Sequence, residues 1–154
     1  MISLLPTENE TIVLPWSGSD VYRRMQVSTS QKTFLQPNEA ELLFNGWVLP
    51  YRFRVSLRYR RPGYFQPLVT GKIEVSTTGC ILFLRYRLFP MTRTLMQLWS
   101  VLIVLGTAVT GYSYRSSMPL LAGLVLFAAM HLIARSNFKL HLGPTREAIH
   151  RVVA

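Results

Sequence analysis

The chain has 154 residues and a formal net charge of +10, from 17 lysines and arginines against 7 acidic residues. So few carboxylates leave general acid-base chemistry undersupplied, and a single cysteine, Cys80, excludes an internal disulfide framework and suits a reducing compartment. The length allows one modest domain and one apolar hairpin.

Met1 to Pro6 lacks a basic leading stretch and an adequate apolar run, so it does not read as a signal peptide. Thr11 to Leu14 is a short β-rich run stopped by Pro15. Ser17, Ser19 and Asp20 then offer N-caps and predict a helix from Asp20 to Val27, with Val21, Tyr22 and Met25 on one side and Arg23 and Arg24 on the other. Ser28 to Asn38 is polar, contains Pro37 and reads as a loop.

From Glu41 to Pro90 the hydrophobic period is two. Leu42 to Leu49 predicts one strand, with Asn45-Gly46 either a hairpin turn or a bulge. In Arg52 to Arg60, Phe53, Val55, Leu57 and Tyr59 share one face and Arg52, Arg54, Arg58 and Arg60 the other. Arg61-Pro62-Gly63-Tyr64 breaks that strand, Leu68 to Ser76 makes the next, Thr77-Thr78-Gly79 turns, and Cys80 to Phe89 returns. Cys80 is expected to be a small buried hydrophobe in that strand.

Between Arg93 and Arg115, and again between Arg115 and Arg135, no charged side chain occurs and Leu, Val, Ile, Phe and Ala dominate. Each stretch is close to the roughly 20 residues of a spanning helix. Two transmembrane helices, about 94–114 and 118–134, are therefore predicted as a hairpin. Arg85, Arg87 and Arg93 precede it, Arg135 and Lys139 follow it, and the connection holds only Arg115. The positive-inside rule then predicts an integral protein of the bacterial inner membrane with both termini cytoplasmic. Asn137 to Leu142 alternates once more and predicts a last strand ended by Gly143-Pro144, with Thr145 capping a short helix from Arg146 to Val153.

The expected fold class is an α+β membrane protein. An antiparallel β domain with a short N-terminal helix occupies 1–91, the transmembrane hairpin 92–135, and a strand and short helix at 136–154 complete the β domain. Gly46, Phe53, Tyr59-Arg60, Pro67, Gly71-Lys72-Ile73-Glu74, Gly79 and Arg87-Leu88-Phe89-Pro90, followed by the apolar hairpin, resemble small bacterial membrane proteins of unassigned function. In these a short β domain precedes two closely spaced helices. The resemblance covers the strand and hairpin region, departs at Arg61-Pro62-Gly63, and implies no catalytic residue, binding residue or cofactor.

The main constellation is the set Arg52, Arg54, Arg58, Arg60, Arg61, Arg85 and Arg87. Such a face suits anionic lipid headgroups or an acidic protein partner, or is a solvated strand face. Tyr59, Tyr64 and Phe65 lie near it without an RNA or DNA motif, which disfavours nucleic acid. His131 is an ionisable group in the second apolar helix, one turn from Arg135, where a neutral imidazole near the interface suffices. Glu147 and His150, with His141, form an incomplete metal set, so no metal is expected. Gly71-Lys72 lacks the upstream glycine loop of a phosphate-binding P-loop. Gly106, Thr107, Thr110 and Gly111 on one helix and Ala122 and Gly123 on the other allow close helix packing, within the hairpin or in a homo-oligomer.

These residues predict a non-enzymatic integral membrane protein whose basic β domain is held at the inner leaflet, contacting anionic lipid or an acidic protein. The alternative is a small pore-forming or membrane-perturbing effector acting through oligomerised hairpins. No polar set converges on a pocket between sheet and N-terminal helix, and no cofactor is called for.

Overall fold

A computed structural model describes residues 5–30, 42–58 and 65–153. Six strands form one sheet: β1 (Thr7–Leu14), β2 (Thr29–Ser30), β3 (Phe44–Leu49), β4 (Arg52–Leu57), β5 (Pro67–Ser76) and β6 (Gly79–Leu88), in the order β1-β6-β5-β4-β3-β2. All neighbours are antiparallel except the two-residue pairing of β2 with β3. Three helices complete the fold: α1 (Gly18–Val27), α2 (Pro90–Tyr114) and α3 (Met118–Val153).

The alternating pattern places one face of the sheet in the core. Phe44, Val48, Phe53, Val55, Val69, Ile73, Cys80, Leu82, Leu84 and Tyr86 all turn inward and are buried. Cys80 is thus the small buried hydrophobe expected of it. The N-cap of α1 is Ser17, which accepts from the Asp20 amide, and the helix lays Val21 and Met25 on this face. Gly46 is neither a turn nor a bulge. It pairs with Val55 inside β3 at φ +151°, where a Cβ would collide with the Arg54 carbonyl oxygen. Gly71 is fixed by packing, because the Phe53 ring lies where its Cβ would be.

The C-terminal region departs from expectation. Asn137 to Leu142 is not a strand, and Arg146 to Val153 is not a separate helix: both belong to α3, which runs unbroken for 36 residues. Alternation of Phe138, Leu140 and Leu142 suggested period two. The buried set, however, is Ala134, Phe138, Leu142, Thr145, Ile149 and Val153, one helical stripe that closes over the sheet, while Leu140 is exposed. A six-residue alternation is too short to outweigh a stripe that continues past Pro144. Within the helix the Thr145 hydroxyl donates to the His141 carbonyl at 2.7 Å.

The helix α2 starts at Pro90, four residues before the expected boundary, and ends at Arg115 in the left-handed conformation. It pairs with the first half of α3. Both helices are long and apolar enough to cross a membrane, and only 6% and 11% of their most apolar windows are buried. Thr107 packs on Gly123 so closely that a Cβ there would meet its side chain, and Gly111 lies against Leu120. Gly106 faces open space, so only part of the small-residue stripe is used. His131 places Nδ1 3.0 Å from the Phe127 carbonyl and rests its ring on Phe127, a contact within one helix turn.

Candidate functional site

The outward face of the sheet carries the strand arginines. Cross-strand register builds a row Asn9, Arg85, Thr70, Arg54, Trp47 from β1 to β3, flanked by Thr7, Arg87, Leu68 and Ser56 on one side and by Arg52 paired with Lys72 on the other. Residues two apart on a strand share a face, so three hairpin registers suffice to gather arginines far apart in sequence. Lys72 is neutralised by Glu74 on its own strand. Among the described residues, no acidic side chain forms an ion pair with Arg52, Arg54, Arg87 or Arg93.

Where this face meets the start of α2 there is a cavity of about 410 Å³. Arg52 and Arg54 of β4, Arg87 of β6 and Arg93 of α2 line it, and among the described residues no acidic side chain does. The remaining wall is mostly apolar, with Trp47, Leu5, Pro6, Leu68, Leu88 and Pro90, and Thr7 and Thr70 add hydroxyls. Burial disfavours the charged form of Arg87, and the guanidinium groups of Arg85, Arg54 and Arg93 lower its affinity for a proton further. Arg87 thus feels three like charges, and among the described residues no carboxylate lines the cavity to offset them. α2 begins there with Phe89 as N-cap and no side-chain cap, and its first turn contains no acidic residue.

The expected row is only partly realised. Arg52, Arg54 and Arg87 line the cavity and Arg85 lies beside them. Arg58 falls beyond the end of β4, where its amide donates to the Leu43 carbonyl at 2.8 Å, and it is not among the lining residues. Arg60 and Arg61 lie outside the described residues. Arg93 was read only as a topology signal. Its place three residues after Pro90, at the first turn of a helix leaving a basic strand, was the available clue.

A second polar cluster sits on the opposite face, at the edge strand. The Glu10 carboxylate accepts from the Tyr86 hydroxyl at 2.8 Å and from Arg146 Nε at 2.9 Å, and lies 3.0 Å from His150 Nε2. His150 therefore meets Glu10 of β1, not a metal set with His141. Burial alone would raise the Glu10 carboxyl, but hydrogen bonds from Tyr86, Arg146 and His150 and the Arg146 charge outweigh it and hold the group below its ordinary value. Burial and the neighbouring Glu10 push the Tyr86 hydroxyl well up. Sequence reading missed this cluster, although Glu10 alternates in phase with the inward-facing Ile12 and Leu14.

No protein-family model matches the chain, and no curated protein matches it. Among solved structures it is similar to a Polyketide_cyc-like protein from Corynebacterium glutamicum, determined by NMR in solution, at 10% identity and a TM-score of 0.29. The similarity covers 88% of this chain and 95% of that one. At this level the function of the present chain has to be argued from its own residues.

The functional expectation is corrected at this point. The arginines do not form the continuous row over two strands expected of a lipid or acidic-protein contact, since Arg58 falls beyond β4 and Arg93 joins from a helix to line a cavity with Arg52, Arg54 and Arg87. The pore alternative relied on small residues facing outward for assembly, yet Thr107 and Gly123 are consumed in packing α2 on α3. Both the platform and the pore readings are withdrawn.

Proposed function

We propose that the domain is a binding module for a small anionic ligand, held in the cavity between the outer sheet face and the start of α2. The observation that carries this reading is the convergence of Arg52, Arg54, Arg87 and Arg93 around about 410 Å³ with no carboxylate lining it among the described residues. Guanidinium groups present paired donors to carboxylate or phosphate oxygens, and a bound anion converts their mutual repulsion into attraction. The volume lies towards the lower end of small-molecule sites, and the apolar wall gives the ligand a body as well as a charge. Binding, not catalysis, is the activity proposed, because the lining supplies neither a general base nor a nucleophile beyond two threonine hydroxyls.

The test is thermal unfolding of the full chain in non-ionic detergent against matched sets of anionic, neutral and cationic small molecules at constant ionic strength. Anions should raise the melting temperature of the wild type and leave Arg54→Gln/Arg87→Gln unmoved. Equal stabilisation of the double variant, or none of the wild type, would remove the reading.

A further inference from the structure

The anion site also discriminates among anions, and resting on the reading above, we infer that its ligand is a phosphate monoester carried on a flat apolar group that packs against Trp47. Three features argue for this class. The first is charge. Four guanidinium groups arriving from β4, β6 and α2, with Arg85 adjacent, are poorly compensated by a single negative charge, whereas a phosphate monoester carries nearly two at neutral pH. The second is geometry. Arginines from three elements line the cavity, enough donors for the three free oxygens of a tetrahedral phosphate where a planar carboxylate offers only two.

The third is the distribution of the apolar wall. Trp47 pairs with Arg54 across β3 and β4, is 41% exposed and lines the same cavity as the arginines. The indole of Trp16, between β1 and α1, is by contrast covered by Arg24. Trp47, lining the cavity, offers stacking area to a planar group whose phosphate is held by the arginines, and a flat ring loses little conformational freedom on stacking.

Phenyl phosphate is the probe, compared with inorganic phosphate, benzoate and dihexanoyl phosphatidic acid, by calorimetric titration of the full chain in non-ionic detergent at fixed ionic strength. Phenyl phosphate should bind about 10-fold to 100-fold more tightly than benzoate, the range expected for added charge-assisted hydrogen bonds. It should also exceed inorganic phosphate by about threefold to tenfold, the contribution of an aromatic contact. Trp47→Leu should abolish the second advantage and keep the first, and Arg87→Gln should reduce binding of both phosphates. Benzoate binding as tightly as phenyl phosphate would overturn the phosphate assignment while leaving an anion site in place. Tighter binding of dihexanoyl phosphatidic acid, unaffected by Trp47→Leu, would overturn the flat-group assignment and identify a lipid headgroup as the source of the phosphate. Binding of none of the four would sink this inference and the anion-site reading together.

Discussion

Arg87 and Arg146 are the same side chain in opposite circumstances, one on each face of the sheet. Arg146 reaches from α3 to Glu10, and the carboxylate raises its hold on a proton. Arg87 sits with Arg54, Arg85 and Arg93, and its hold is lowered. Strand β6 separates the two environments by a single residue, since Tyr86 points inward to Glu10 while Arg85 and Arg87 point outward. The contrast teaches that charge on this chain is not uniformly a solubility feature. On the inner face it is balanced and fastens α3 to β1. Around the cavity of the outer face, among the described residues, the arginines are left unbalanced, the arrangement on which the proposed anion site rests.

The strongest way to break the inner side of this comparison is Tyr86→Ala. The ring is fully buried and holds Glu10, so its removal should destabilise the protein by about 3–5 kcal/mol, read from denaturant unfolding. Tyr86→Phe keeps the packing and should cost about 1 kcal/mol. Glu10→Gln comes next, with an expected loss of about 1–2 kcal/mol after allowing for the partial exposure of Arg146. Combining it with Arg146→Gln should cost less than the sum of the two single changes, because the pair is already broken.

Acid provides an independent probe of the same cluster. The folded-state pKa of Glu10 lies below its unfolded value, so its contribution is present above the ordinary glutamate range and is lost as pH falls through the lowered value. The wild type should therefore lose stability relative to Glu10→Gln as pH is taken from about 5 downward. Parallel melting curves for the two proteins across that window would dissociate Glu10 from the acid response.

The outer face should respond least. Arg87→Gln relieves crowding among like charges and should leave stability within about 0.5 kcal/mol of the wild type, or slightly above it. A substantial loss would mean that Arg87 is a structural residue, and the contrast with Arg146 would disappear.

The strands were legible because the chain alternates cleanly. The segments 52–57, 67–76 and 79–88 lie where period two placed them, and Ser17 with Asp20 fixed the start of α1 to within two residues. The two apolar helices were equally plain from the absence of charge. What could not be read was any property created by register. The place of Arg93 at the first turn of a helix leaving a basic strand hints at the site, but its meeting with Arg54 and Arg87 depends on β4, β5 and β6 pairing and on α2 departing beside them. Glu10, Tyr86 and Arg146 are separated by 76 and 60 residues and come together only through the same pairing and the path of α3. The error at 137–142 has a different origin, since six alternating residues satisfy both periods and the choice is made by the sheet beneath them.

The unbroken course of α3 couples two regions that would otherwise be separable modules. Its first half pairs with α2 and its second half covers the sheet, and a single rod of about 54 Å joins them. Inserting one residue between Ala134 and Phe138 would therefore turn one end against the other by about 100°. Either Thr107 would lose its seat on Gly123, or Phe138 and Ile149 would swing off the sheet. The angular phase of one helix thus sets the alignment of the whole molecule.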